Sequence, residues 1–323
     1  MLVPKFWAEH REVKTVRGKK ATVRRFGWSD ENMNAAQEHA RARVEEALAA
    51  LAAGESLARF EPKVPYNGAD GVPIREEIVE SHDDVVVTRN SYGALCLNTP
   101  DVLFADVDLP VGGGVNFFRW IGLFLILAGV GAYLARSGLV FAVGVVASFV
   151  LPFALERAVA AVRRARGVEE KQGLARIRAF SEAHPHWVLR VYRTPAGFRV
   201  LVMHGTFAPD DPAVTAFFEA LGTDRVYVRM CRKQKCFRAR VSPKPWRIGQ
   251  KTHILPSRGV WPVSPEVAPR RRAWIAEYDS LARDFASCRF VEELGAGRLD
   301  PKAEAVRRLH DDACRAHSEL PLA

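Results

Sequence analysis

The order of apolar and polar positions divides this chain into unlike parts. Near the N-terminus two stretches alternate, Phe6-Trp7-Ala8-Glu9-His10 and Ala21-Thr22-Val23-Arg24-Arg25-Phe26, on either side of Arg17-Gly18-Lys19-Lys20. A period of two around a turn-forming centre predicts a β-hairpin. Ala36, Ala40, Val44, Ala47, Leu48 and Leu51 then recur at helical spacing. They predict a helix from Glu31 to Ala53, with Ser29 or Asp30 as its N-cap and Gly54 as its stop.

Mid-chain the pattern changes. Trp120 to Ala135 carries no charge, Arg136 and Ser137 interrupt, and Gly138 to Leu155 is again uncharged. At about 1.5 Å per residue, either stretch is long enough for the apolar thickness of a bilayer, roughly 30 Å. Together they predict a two-helix transmembrane hairpin over residues 116–158, its helices brought close by Gly129, Gly131 and Gly144. A buried hairpin in a soluble core is the competing reading, but neither stretch has the polar face of a surface helix. Arg119 precedes the hairpin, Arg157, Arg163, Arg164 and Arg166 follow it, and the turn holds only Arg136. This asymmetry predicts a bacterial inner-membrane protein with both termini in the cytoplasm.

Shorter signals fill the rest. Pro62 to Pro73 is dense in turn residues and reads as a loop or linker. A short helix is predicted from Ile74, with strands at Asp84–Thr88 and Val102–Asp108. Beyond the hairpin a helix is predicted over Arg157–Ala183, then strands at Trp187–Tyr192 and Phe198–Met203, then a helix over Pro212–Leu221 stopped by Gly222. Further strands are expected at Arg225–Val228 and Phe237–Val241, and closing helices over Arg270–Leu294 and Pro301–Ser318. The predicted fold class is α+β, a mixed or antiparallel sheet with helices, interrupted by the hairpin. The divisions are an N-terminal β-β-α module (1–58), a first core part (59–115), the hairpin (116–158), a second core part (159–265) and C-terminal helices (266–323).

Composition sharpens this picture in two places. The 323 residues include 48% hydrophobic and 26% charged positions, which excludes general disorder. Mean hydropathy is −0.08, an average that hides the apolar hairpin. The net charge is +10, but Gly222 to Arg272 alone holds 14 Lys and Arg against Asp224 and Glu266. The polyanion-facing character therefore belongs to one segment, in which Phe237, Trp246 and Trp261 lie among the bases. Bases with interleaved rings suit single-stranded nucleic acid. An anionic lipid surface beside the hairpin, or a solvated basic face with no ligand, are the alternatives. Five cysteines at irregular spacing read as reduced thiols rather than a disulfide framework.

One strand carries candidate chemistry. In Val102-Leu103-Phe104-Ala105-Asp106-Val107-Asp108 the two acids are two apart, so on a strand they share a face. Such carboxylates can hold Mg²⁺ or Mn²⁺ for phosphoryl transfer, or can simply be solvated acids at a strand edge. Cys231 and Cys236 approach a zinc-knuckle spacing, with His253 or His204 available. No second Cys pair follows, so they read as packed thiols, as do Cys288 and Cys314 on predicted helices.

An apolar strand ending in Asp106-Val107-Asp108, followed by Thr194-Pro195-Ala196-Gly197-Phe198-Arg199, resembles the catalytic core of archaeo-eukaryotic primases and primase-polymerases. The resemblance implies a primase-like palm, with Asp106 and Asp108 as catalytic metal ligands and Arg199 at the nucleotide phosphates, where that superfamily usually has His. Its third acid has no match here. Arg193, Arg238, Arg240, Lys244 and Arg247 complete the candidate nucleotide or nucleic-acid contacts. The N-terminal β-β-α module resembles the arm-type DNA-binding domain of phage integrases. The segments Val23–Ser29, Lys63–Gly71 and Cys236–Arg247 resemble proteobacterial proteins to which no activity is attached. Two functions are thus expected: metal-dependent nucleotidyl transfer on a membrane-anchored core, or a non-catalytic membrane-associated binding or scaffold protein whose basic segment faces lipid.

Overall fold

The computed structural model describes residues 3–56, 72–109, 117–255 and 261–323. The chain forms two units: residues 1–107 together with 180–323, and residues 108–179. The first unit is α+β with antiparallel sheets, the second is helical.

The first unit opens with a hairpin of β1 (Phe6–Val16) and β2 (Lys19–Ser29), paired so that Val16 faces Lys19. The two-residue loop is Arg17-Gly18, with φ of 51° and 73°. Positive φ at both central residues gives the turn a twist that matches the strands. Helix α1 (Met33–Ala53) lies on the hairpin, with Ala36, Ala40, Val44, Ala47 and Leu48 buried. Its N-cap is Asn32, whose side chain accepts from the Ala35 amide. The expected cap Ser29 instead closes a local turn by accepting from the Glu31 amide. Gly54, at φ 97°, ends the helix as expected. Where α1 meets β2 the backbones nearly touch. A Cβ on Gly27 would sit 2.1 Å from the Ala40 nitrogen and 2.3 Å from the Ala36 oxygen.

Two four-stranded sheets make the rest of the core. One has the order β3 (Glu77–His82), β4 (Val85–Arg89), β5 (Leu95–Thr99), β9 (Phe237–Arg240), antiparallel throughout. The other has the order β10 (Arg289–Leu294), β7 (Leu189–Arg193), β8 (Gly197–Val202), β6 (Phe104–Asp108). The strands before and after the second unit, β6 and β7, belong to that same sheet. Helices α5 (Pro212–Leu221), α6 (Arg225–Gln234), α7 (Ala268–Ala282) and α8 (Pro301–Cys314) complete the unit.

Several local expectations are corrected. Arg225–Val228 is helical, not a strand, because the Asp224 carboxylate accepts from the amides of Val226 and Tyr227 and starts α6. The closing helix predicted to Leu294 stops at Ala282. Ala286 is tied to the C-terminus by backbone hydrogen bonds with Pro321 and Ala323, and residues 289–294 pair with β7. No helix starts at Ile74; residues 73–75 have no regular structure and β3 follows at Glu77. The loop expected at Pro62–Pro73 lies largely outside the described residues.

The second unit contains α2 (Phe117–Ala135) and α3 (Gly138–Ala165), joined through Arg136 at φ 44°. Helix α4 (Val168–Ala183) follows and runs on into the first unit, so the predicted Arg157–Ala183 helix is broken near Gly167 at φ 60°. Of the three glycines expected to bring the apolar helices together, Gly144 does so, since a Cβ there would sit 2.5 Å from that of Ala128, whereas one on Gly129 would meet nothing within 4 Å. A soluble core hairpin would hide its large side chains, whereas Leu134 is 75% and Leu139 74% exposed. Both helices are long and apolar enough to cross a membrane, which points to membrane association.

Gly27→Ala is expected to destabilise the first unit by about 3 kcal/mol, since the added methyl meets helix backbone rather than a movable side chain. Thermal unfolding of the purified chain checks this; an unchanged midpoint would mean that α1 does not sit this close to β2.

Candidate functional site

Strands β6 and β8 bring the two expected motifs together. The Arg199 side chain is 3% exposed and reaches across to Asp106. Its Nε donates to Asp106 Oδ1 at 2.8 Å and one Nη to Oδ2 at 3.3 Å. The other Nη donates to the Arg240 carbonyl at 2.8 Å and lies 3.4 Å from His310 Nε2. Burial lowers the arginine pKa, but the Asp106 carboxylate outweighs it and raises it above its ordinary value. Asp106, whose side chain is 32% exposed, thus has both oxygens engaged by one guanidinium.

Asp108 stands at the exposed end of β6, beyond the buried Val107. A hard divalent cation at the two acids would share the Asp106 carboxylate with Arg199.

The other candidate contacts are mostly occupied by the fold. Arg193 donates to Thr194 and Gly197 carbonyls in the β7–β8 turn. Arg238 is buried against Glu76, at 2.5 Å, and side-chain exposures of 4% and 2% leave the pair dry. Thr88 donates to the same Glu76 oxygen and Asn98 donates to Thr88, so the network crosses three strands. Arg240 donates to the Ser242 carbonyl. Lys244 lies 5.5 Å from the Trp246 ring, which is itself exposed and edge-on to Tyr92. Arg247 is half-buried in the turn after Lys244.

The basic segment therefore splits. Arg238 and Arg271 are internal, Arg271 by pairing with Glu77 at 2.7 Å. On α6 the buried residues are Tyr227, Met230, Cys231 and Gln234, while Arg225, Arg229, Arg232 and Lys233 are exposed. Exposed positions at i, i+4, i+7 and i+8 share one helix face. Lys235, just beyond, pairs at 3.6 Å with the exposed Asp210.

The cysteines divide likewise. Cys231 and Cys236 are buried, and burial pushes the Cys236 thiol up to about 11 and that of Cys231 well above its ordinary value. Among the described residues the group able to close on a metal lies elsewhere: Cys288, His310 and Cys314, all buried, have their ligating atoms within 4.8 Å of one another. Cys314 is the last residue of α8, but Cys288 lies in the segment leading into β10 rather than on a helix. A signal for this group is present in the sequence: His310-x3-Cys314 has the i, i+4 spacing of one helix face, with Cys288 upstream. It passes unnoticed because the segment around Cys288 looks helical.

Neither a protein-family model, a curated protein nor a solved structure matches this chain.

The Asp106–Arg199 pair is expected to respond asymmetrically to truncation. Asp106→Ala strands a buried charge and should cost about 3–5 kcal/mol. Arg199→Met leaves a carboxylate that water can reach and should cost about 1–3 kcal/mol. Denaturant unfolding of both variants checks the order; equal losses would count against the pairing.

Proposed function

We propose that this chain is a membrane-tethered, non-catalytic binding protein that presents the basic face of α6 to the anionic leaflet of its own membrane. The observation that carries the absence of catalysis is the closure of Asp106 by the buried Arg199. In a nucleotidyl transferase the paired acids must offer free oxygens to metal; here a neighbouring cation of the protein supplies the countercharge.

The membrane side of the reading rests on charge and hydropathy. The two apolar helices are flanked by Arg119, Arg157, Arg163, Arg164 and Arg166, which supports a bacterial inner membrane with both soluble parts cytoplasmic. The anionic leaflet there attracts basic residues by about 1 kcal/mol for each side chain near the surface. The exposed Arg225, Arg229, Arg232 and Lys233 give α6 such a face. A tether also raises the effective concentration of surface seen by that face, so weak contacts suffice.

A second reading keeps the primase-like palm active toward nucleotides or nucleic acid. It is favoured by one observation, the meeting of Asp106 and Arg199 on neighbouring strands. It requires that Mg²⁺ or Mn²⁺ displace Arg199 from Asp106.

Full-length chain in nanodiscs separates these readings. The α6 amides should gain hydrogen-exchange protection in anionic relative to neutral discs, and lose it in high salt or with Arg229→Glu plus Arg232→Glu. No Mn²⁺-dependent incorporation of labelled nucleotide is expected. Incorporation that disappears in Asp106→Asn and Asp108→Asn would establish the enzymatic reading instead. A reporter fused after Ala323 should be active in the cytoplasm; an external signal would overturn the orientation.

A further inference from the structure

The Cys288, His310 and Cys314 group has no part in that reading, and its geometry is unusual for a simple core. Two thiols and an imidazole, all fully buried, converge within 4.8 Å. Cys288 Sγ is 3.8 Å from His310 Nε2. In a tetrahedral zinc site, with metal–sulfur near 2.3 Å and metal–nitrogen near 2.0 Å, neighbouring ligand atoms lie about 3.5–3.8 Å apart. Small side-chain adjustments would bring the three atoms onto one ion.

The imidazole is also oriented for this. His310 Nδ1 lies 3.1 Å from Asp311 Oδ1, so a proton on Nδ1 is held by the carboxylate and Nε2, 3.8 Å from the Cys288 sulfur, is left as the ligating nitrogen. A carboxylate behind a histidine is the usual outer partner of a metal-bound imidazole. Asp311 is itself fixed by Arg190 at 3.3 Å, Arg307 at 3.0 Å and His317 at 3.2 Å. Opposite this, Nε2 lies 3.8 Å from the Cys288 sulfur and 3.4 Å from the Arg199 guanidinium.

Charge selects the class of ion. Two thiols binding Zn²⁺ release two protons, so the exchange leaves the net charge of the buried site unchanged. The Arg199–Asp106 pair alongside then keeps its balance. A hard cation such as Mg²⁺ has no oxygen ligand set here, whereas thiolate and imidazole suit zinc.

We propose that Cys288, His310 and Cys314 bind one zinc ion, with a water at the fourth corner. The site would clamp the end of α8 to the segment leading into β10, where the Ser287 amide already donates to the Cys314 carbonyl at 3.0 Å.

The test is cobalt titration of the full-length chain, purified in detergent under reducing conditions and stripped with chelator. A thiolate-to-cobalt charge-transfer band with tetrahedral visible bands should saturate near one equivalent and vanish on adding Zn²⁺. Cys288→Ser and Cys314→Ser should each lose the spectrum, while the double variant Cys231→Ser, Cys236→Ser should keep it. The stripped protein should also unfold at a lower temperature than the zinc-loaded one and recover when zinc is returned. Absence of any thiolate band in reduced wild-type chain would overturn the proposal, and needs no variant to fold. So would a band that survives Cys288→Ser, or a Cys288–Cys314 disulfide in protein isolated without reductant.

Discussion

A fully buried guanidinium cannot give up its charge and cannot be left without acceptors. Arg199 is such a group, and the neighbouring architecture is arranged around satisfying it. Asp106 on β6 takes two of its N–H groups, the carbonyl of Arg240 on β9 takes another, and His310 on α8 stands against it. These partners come from both four-stranded sheets and from the C-terminal helix. Tyr227 on α6 reinforces the same junction by donating to the Phe104 carbonyl and accepting from the Arg238 amide. The ion pair itself lies within one sheet, and the bond from the same guanidinium to the Arg240 carbonyl fastens that sheet to the other.

The same logic divides the basic residues of the chain. A cluster of 14 bases suggests one continuous polyanion surface, but carboxylates of the same unit claim some of them. Arg238 is matched by Glu76 and Arg271 by Glu77, both contributed by a segment more than 150 residues earlier. The bases on the face of α6 stay outside, because Asp224 caps the helix and Tyr227, Met230 and Cys231 turn inward; Lys235, Lys251, Arg270 and Arg272 stay outside as well. Charge that stabilises the fold and charge available to a partner are interleaved residue by residue.

The apolar hairpin interrupts this unit without dividing its sheet. The strands on either side of it in sequence, β6 and β7, lie in one sheet with β8 between them. An apolar helix satisfies its own backbone hydrogen bonds, as α2 and α3 do. The first unit can therefore close over the gap in its sequence.

By itself the sequence determined the features that depend on near neighbours. The Arg17-Gly18 hairpin, the stripe of α1, its stop at Gly54, α5 with its stop at Gly222, and the long apolar stretches of α2 and α3 all follow from local period, capping and turn chemistry. The α+β class follows as well. Tertiary structure decided what depends on distant partners. Leu95-Cys96-Leu97-Asn98-Thr99 has no alternation, being buried between β4 and β9, and becomes a strand only through that pairing. Residues 289–294 look helical but find β7, because Ala286 is already held by the chain end. The candidate site divides the same way. The spacing of Asp106, Asp108 and Arg199 was legible, but the ion pair between Asp106 and Arg199 was not, because it forms only when β6 and β8 lie in one sheet. The Cys288–His310–Cys314 cluster needed the fold of α8 against the lead-in to β10 before three scattered residues could become neighbours.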